Sequence, residues 1–145
     1  VLDNSTTAMT GHQPHPGTGR TVMGEIVQKI NIEQVLRGIG VTEIETINPL
    51  ELEASVSCVK RMAEKSGVRA IIFKAPCIAV TKPKAPLHVD QDSCIGCKKC
   101  IRDLGCPAIV MNDGKVCIDA SMCTGCHLCS QVCPVCAIAG GDDHE

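Results

Sequence analysis

Two dense cysteine runs, each closed by Cys-Pro, constrain the fold of this chain more than any other feature. The sequence CTGCHLCSQVCP ends at Pro134, and a looser copy, CIGCKKCIRDLGCP, ends at Pro107. The first cysteines of the copies, Cys94 and Cys123, are 29 positions apart, and a short predicted strand and an Asp precede each run. Two matching halves predict two equivalent sites related by a pseudo-twofold axis.

Twelve of the 145 residues are cysteine, and the chain shows no secretory signal pattern. Such a density in that context indicates metal binding rather than disulfides. The two-residue gaps let one tight loop aim three thiolates at one region, and soft thiolates suit iron–sulfur clusters or zinc. Zinc sites usually pair separated Cys-x2-Cys units. We therefore predict two [4Fe–4S] clusters, with zinc and strained disulfides as the weaker alternatives.

In bacterial ferredoxins the fourth cysteine of such a run, the one before proline, binds the other cluster. Applied to this chain, that pattern predicts a first cluster on Cys94, Cys97, Cys100 and Cys133 and a second on Cys123, Cys126, Cys129 and Cys106. The spacing from Cys100 to Cys106 is longer than in the other copy, so we expect that loop to bulge.

Apolar residues around the two runs can form a dry lining: Ile95, Ile101, Leu104, Ile109, Ile118, Leu128 and Ile138. The remaining cysteines are interpreted as packed thiols that bind no metal: Cys58, Cys77, Cys117 and Cys136.

The residues before the cysteine runs alternate between helical and strand patterns. Asn31 is a predicted N-cap for a short helix, followed by the strand VTEIETI. Asn48-Pro49 is predicted to start a longer helix, and Val68–Lys74 has the continuous apolar centre of a parallel strand covered on both faces. The buried face of the longer helix is predicted to be Leu52, Val56, Val59 and Ala63. The order of elements predicts an α/β domain at 1–80, a proline-rich linker at 81–86 and a small α+β ferredoxin-type domain at 87–145.

Charge and hydropathy exclude several classes of protein. The formal net charge is −2, with the acidic excess in the cysteine-rich part, so a nucleic-acid partner has no electrostatic support. No run of eighteen apolar residues occurs, and we expect no membrane span and a cytoplasmic location. The opening VLDN has the pattern of the end of a buried strand. We therefore expect a fragment of a longer polypeptide, with a processed N-terminus as the alternative.

The loop TGHQPHPGTGR ends at Arg20 and is a rigid polar loop after a strand, where α/β proteins place ligands. On physics alone an ordinary surface loop is an equal alternative. The stretch LDNSTTAMTGHQPHPGTG, joined to a double-cluster domain, resembles the alpha subunit of indolepyruvate:ferredoxin oxidoreductases. That resemblance covers essentially the whole chain. It implies that the α/β part belongs to a domain that binds thiamine diphosphate.

The resemblance also implies cofactor-binding residues. Asn4 corresponds to a Mg²⁺ ligand of that family and Thr6 to a backbone carbonyl ligand; Mg²⁺ favours such hard oxygen atoms. The loop from Gly11 would line the thiamine site, with His12 making polar contacts there. The Gly-Asp segment that opens the family's motif is expected upstream of Val1, so this chain alone should not hold thiamine diphosphate tightly.

The activity implied by the resemblance is oxidative decarboxylation of an arylpyruvate to an acyl-CoA. Electrons would pass through two [4Fe–4S] clusters to external ferredoxin, and a beta subunit would complete the enzyme. Catalytic residues are not identifiable. Two alternatives stay open: a ferredoxin-like electron carrier without its own catalysis, and an oxidoreductase for another 2-oxo acid such as pyruvate or 2-oxoisovalerate. The N-terminal loop motif favours the enzyme, because a plain carrier has no use for it.

Overall fold

The computed structural model describes residues 1–7 and 11–140. The chain divides into two units, Val1–Lys82 and Pro83–Glu145, and the division falls inside the predicted linker. Within the described residues, no helix combines the length and the apolar character needed to cross a membrane.

The first unit is built on a parallel three-stranded sheet in the order β1-β3-β2. Its strands are β1 (Leu2–Asp3), β2 (Glu43–Ile47) and β3 (Arg69–Lys74). Helix α2 (Leu52–Glu64) connects β2 to β3 and packs on both of them. A parallel pair needs such a crossover because a tight turn cannot return the chain to the same end. The mixed α/β architecture predicted from the alternating pattern is therefore present.

Helix α1 (Ile32–Gly38) begins where its sequence predicts. Asn31 is extended and its side-chain oxygen accepts a hydrogen bond from the Gln34 N–H at 3.2 Å. This contact satisfies one of the N–H groups that a helix start leaves without a partner.

The predicted start of α2 is wrong by three residues. Asn48 does not cap α2; its side-chain oxygen accepts from the Leu50 N–H at 3.0 Å, which forms a turn ahead of the helix. The Asn48 carbonyl accepts from the Glu51 N–H and from the Ser55 hydroxyl, and the helix starts at Leu52. Asn followed by Pro favours a turn as well as a cap, and here the turn forms.

The predicted buried face of α2 is also wrong. Val56 and Val59 are exposed, whereas Ser55, Cys58 and Met62 are buried. Both sets of residues have helical spacing, so periodicity alone cannot choose between them. The buried face carries one polar and two sulfur-containing side chains, so a prediction based on aliphatic residues did not find it.

The sheet is not enclosed on both faces by the described residues. Ile72 of β3 is buried, while Ile71 and Phe73, whose side chains alternate to the other face, are only half-buried. The continuous apolar centre of β3 predicted two covered faces; helix α2 covers one.

The second unit is a small α+β fold with two similar halves. In each half a strand leads into a cysteine loop and then a short helix: β4 (Leu87–Val89) precedes α3 (Lys99–Leu104), and β6 (Lys115–Ile118) precedes α4 (Leu128–Val132). Strand β4 pairs antiparallel with β7 (Ile138–Gly140), and β5 (Ile109–Asn112) forms a hairpin with β6. The two helices pack on each other. The core consists of Leu87, Cys100, Ala108, Ile109, Val116, Cys129, Val132, Ala137 and Ile138.

Candidate metal centres

An aspartate turn positions the first cysteine of each loop. The Asp90 carbonyl accepts from the Cys94 N–H at 3.0 Å, and the Asp119 carbonyl accepts from the Cys123 N–H at the same distance. Each carboxylate also accepts from the backbone N–H two residues on, that of Asp92 or Ser121. Hydrogen bonds from nearby serine hydroxyls and these amides lower the pKa of both carboxyls, because they favour the charged form. The repeated Asp is thus a local turn residue.

The cysteine loops end in a residue with left-handed backbone, and a helix starts immediately afterwards. Lys98 has φ 58° before α3, and His127 has φ 60° before α4. This reversal of the chain turns the loop back over the site. The third cysteine of each run, Cys100 or Cys129, is then the second residue of the helix and is buried.

The first centre brings the predicted sulfur set into one cavity. Its lining includes all four cysteines of the first predicted ligand set, Cys94, Cys97, Cys100 and Cys133. Burial raises the pKa of the Cys100 thiol, and negative charge on Cys133 and Cys97 raises it further. The Cys133 sulfur accepts a hydrogen bond from the Ala137 N–H at 3.2 Å. A cysteine from the second run therefore lies among the three from the first.

At the second centre, the charges that act on the buried Cys129 include one from the first cysteine run. Burial raises the pKa of Cys129 to about 11, and negative charges on Cys126, Cys123 and Cys106 add to the shift. The Cys123 sulfur accepts from the Leu87 N–H at 3.4 Å. Cys106, the last cysteine of the first run, is thus within electrostatic range of the three loop cysteines of the second.

The donor sets have the ligand chemistry that a four-iron cluster requires. Among the described residues, no three His, Cys, Asp or Glu side chains converge as they would around one metal ion. A single zinc holds its sulfurs at about 2.3 Å and so within a small tetrahedron, whereas a cluster spreads its ligands over four iron atoms. Thiolate ligands, apolar walls and N–H groups directed at sulfur are the surroundings that iron–sulfur clusters require.

The longer spacing between Cys100 and Cys106 extends a helix instead of producing the expected bulge. Helix α3 continues to Leu104 and ends at Gly105, whose φ of 56° is left-handed and whose N–H donates to the Ile101 carbonyl. Glycine pays no steric penalty in that conformation. Of the two extra residues, one lengthens the helix relative to α4 and the other is the left-handed Gly105 that ends it.

The cavity of the first centre has more apolar walls than the sequence indicated. Ile95 and Ile138 line it as predicted. Val89, Val116 and Ala137 line it too and were not among the predicted residues. Val89 and Val116 lie on the strands that precede the two cysteine loops. That position in the sequence could have been used to predict that they line the cavity.

The four remaining cysteines differ in exposure. Cys58 is fully buried in the first unit, where burial and then the Glu45 side chain raise the pKa of its thiol. Cys77 and Cys117 are half-buried. Cys136 is exposed with φ 52°, and it does not line the first cavity.

The residues predicted for thiamine diphosphate and Mg²⁺ lie in the first unit but are not gathered in its large cleft. The Asn4 side-chain oxygen accepts from the Thr6 N–H at 3.2 Å, and Thr6 is buried. His12 is exposed, and its backbone N–H donates to the Thr7 carbonyl. Gly11 and His12 adopt positive φ in the adjoining loop.

A polar cleft of about 460 Å³ lies instead at the carboxyl edge of the parallel strands. Asp3, Thr46 and Lys74 line it from β1, β2 and β3, and Gly17 and Lys29 line it from the loop region. This edge is where open α/β sheets bind ligands, and the volume is in the usual range for ligand sites. The sequence predicted the loop beside this edge, but it did not identify these lining residues.

Comparison with known proteins defines the class of the second unit. Residues 86–134 match the family model of the 4Fe-4S dicluster domain. A ferredoxin-type dicluster domain is therefore present.

The chain as a whole is similar to the indolepyruvate oxidoreductase subunit IorA of several archaea. It is 45% identical to that subunit of Methanothermobacter thermautotrophicus over 95% of this chain. It is 38% identical to the subunit of Archaeoglobus fulgidus, again over 95%, and 40% identical to that of Thermococcus kodakarensis over 92%. These relatives confirm the predicted resemblance. The chain spans only 22–23% of their length, and no solved structure gives a significant match.

Proposed function

We propose that this chain supplies the electron-transfer module of an indolepyruvate oxidoreductase of the IorA type. The observation that carries the proposal is the cavity lined by four cysteines, three from the first run and Cys133 from the second. In this proposal the first [4Fe–4S] cluster is held by Cys94, Cys97, Cys100 and Cys133. The second is held by Cys123, Cys126, Cys129 and Cys106.

The clusters would supply one-electron chemistry, and the protein residues set their surroundings. The valines and isoleucines exclude water from the sulfurs, and the Ala137 and Leu87 amides direct N–H groups at ligand sulfur. Apolar walls keep away water that would stabilise the charged cluster, whereas N–H groups directed at sulfur stabilise its negative charge. Both features adjust the reduction potential of the cluster.

We infer that the first unit is the end of a thiamine diphosphate domain. The parallel sheet, the polar cleft at its carboxyl edge and the similarity to IorA support this. Asn4 and the Thr6 carbonyl are the proposed Mg²⁺ ligands, and Gly11 and His12 the proposed loop contacts. Because Asn4 is hydrogen-bonded within its own turn, it would have to exchange the Thr6 N–H for the metal.

The activity proposed for the whole protein is oxidation of an arylpyruvate with coenzyme A to an acyl-CoA and carbon dioxide. A beta subunit and an external ferredoxin are the proposed partners. The test is to purify the full-length subunit with its beta subunit without oxygen and to measure iron, sulfide and turnover. We expect about eight irons and eight sulfides from the dicluster domain, and indolepyruvate-dependent reduction of ferredoxin that requires coenzyme A.

Other outcomes would contradict parts of the proposal. Zinc in place of iron, with no visible absorption, would exclude the clusters. A full iron content without turnover of any 2-oxo acid would leave an electron carrier. Faster turnover of pyruvate than of indolepyruvate would change the substrate class.

A further inference from the structure

The two cysteine loops are equivalent in sequence but differ in what covers them. The loop of the second centre lies under the chain's own segment 83–87. The Lys84 N–H donates to the Thr124 carbonyl at 3.3 Å, and Gly125 is buried so closely that a Cβ there would lie 2.7 Å from the Ala85 carbonyl. No other protein can approach this loop where that segment covers it.

The loop of the first centre is open at the corresponding place. A Cβ added at Gly96 would meet no atom within 4 Å. Ile95 beside it is 65% exposed, and Cys97, a proposed ligand, is exposed as well. The loop therefore presents an apolar side chain and a ligand sulfur at the surface.

Within the two copies themselves, basic side chains follow the cysteine loop only in the first; near the second loop the basic residue is Lys84, which belongs to the covering segment. Lys98, Lys99 and Arg102 occupy the positions of His127, Leu128 and Gln131 in the second copy. Lys99 forms an ion pair with Asp103 at 2.7 Å. Among the described residues, neither Lys98 nor Arg102 forms an ion pair.

Lys98 is the residue before α3, and Arg102 lies within that helix. The Arg102 N–H donates to the Lys98 carbonyl, which sets the two residues one helical turn apart. Both are exposed. They form a positive pair on a unit that, from Leu87 onward, has eight acidic residues and only two other basic ones.

We propose that Ile95, Gly96, Cys97, Lys98 and Arg102, here called the exit face, are the docking surface for an electron-acceptor protein with an acidic face. The inference rests on the proposed function, because it requires a cluster at the first centre. An apolar contact inside a charged rim is the usual organisation of a transient interface, and opposite charges speed and orient encounter. A cluster held there and reduced by oxidation of the 2-oxo acid in the proposed activity would pass one electron to the acceptor; the cluster is oxidised, the acceptor is reduced, and no bond is made or broken.

The experiment uses the full-length oxidoreductase with its beta subunit, and a purified acidic ferredoxin as the probe. The double variant Lys98→Gln/Arg102→Gln removes two positive charges from the exit face. We expect the variant to bind ferredoxin about tenfold more weakly than wild type at low ionic strength, measured by isothermal titration calorimetry or surface plasmon resonance. The difference in affinity should be smaller at high salt. Lys98 also lines the cavity of the first centre, so the single variant Arg102→Gln, which lies outside that lining, is measured as well. It should bind ferredoxin severalfold more weakly, with wild-type iron content and wild-type indolepyruvate-dependent reduction of methyl viologen, which needs no protein docking.

The matched control is His127→Glu/Gln131→Glu, which lowers the net charge by the same amount at the equivalent positions of the second copy. We expect its ferredoxin affinity to stay within about twofold of wild type. Equal affinity of wild type and the first variant, or equal loss in both variants, would overturn the exit face. Absence of viologen reduction by wild type would instead contradict the proposed function, while the binding comparison would still decide the docking surface.

Discussion

Cys133 illustrates how one residue acts on a site far from it in sequence. It closes the second cysteine run, yet it lines the cavity formed by the first, and its sulfur accepts a hydrogen bond from Ala137. The following proline has no N–H to donate and a fixed φ, so the chain turns away after the cysteine. The exchanged cysteines therefore tie the two halves of the unit together.

Replacing Cys133 with Ala is expected to damage the centre that contains Cys94. The variant should retain about four of the eight irons, because the other set keeps all of its sulfurs. Iron analysis and electron paramagnetic resonance of the reduced protein would measure this. Cys136→Ala is the control and should keep both clusters. Loss of the cluster on Cys123 in place of the first would contradict the exchange.

Alkylation can distinguish an exposed cysteine that binds iron from an exposed cysteine that does not. Cys97 and Cys136 are both exposed, but only Cys97 belongs to a predicted ligand set. In the iron-loaded protein we expect iodoacetamide at pH 8 to modify Cys136 and to spare Cys97, as seen by peptide mass spectrometry. Cys58 should also stay unmodified, because burial raises the pKa of its thiol and blocks access. Removal of iron should make Cys97 reactive; modification of Cys97 at full iron content would show that it is not a ligand.

At the scale of elements, each centre is one copy of a structural repeat: a strand, an aspartate turn, a cysteine loop and a short helix. The two copies differ in which other residues contact their loops. Segment 83–87 contacts the second loop through Lys84 and Ala85, and the corresponding side of Gly96 is open. Loops with similar backbone angles can therefore have different stability and different access.

Gly125→Ala and Gly96→Ala form a matched pair that measures the contact of segment 83–87. Both glycines have positive φ, 68° and 66°, so alanine is similarly strained at either position. Only at Gly125 would the new Cβ collide with the Ala85 carbonyl and the Lys84 Cβ, each at 2.7 Å. We expect Gly125→Ala to lower the free energy of unfolding by about 1–3 kcal/mol more than Gly96→Ala. Denaturant titration of both variants would check it, and equal losses would contradict the packing of this segment.

At the scale of the whole molecule, the two units differ in how much apolar surface they bury. The first unit exposes large side chains such as Leu2, Val22, Met23 and Ile26, each at more than 80%. In the second unit the most exposed large apolar side chain described is Ile95. The second unit therefore has the more self-contained core.

We expect residues 83–145, produced alone and reconstituted with iron and sulfide, to bind about eight irons, because every predicted ligand and the core around it lie in this unit. Iron analysis and the visible spectrum would measure it. A shorter piece, 88–145, lacks the segment over the second loop and should lose that cluster faster in air. Failure of 83–145 to bind iron would show that the first unit is needed for the fold.

The pattern of residues alone was sufficient for the features that depend on local chemistry. Asn31 caps α1 because its side chain reaches an N–H three residues away, and Asp90 and Asp119 form turns by contacts of the same range. The ferredoxin-type cysteine pattern predicted the sulfur sets, and the four cysteines of the first set line one cavity. Such features depend on residues close in sequence or on the ligand chemistry of cysteine, and not on how distant segments pack.

Other features were decided only by tertiary packing. The face of α2 that is buried, Ser55, Cys58 and Met62, depends on how the helix lies on β2 and β3. At Asn48 the sequence allowed a turn or a cap, and the turn formed; the Asn48 carbonyl accepts from the hydroxyl of the buried Ser55. The difference between a covered second loop and an open first loop arises from contacts of segment 83–87 with residues almost forty positions away. Long-range packing chooses among local alternatives of nearly equal free energy, and a repeated sequence motif carries no record of that choice.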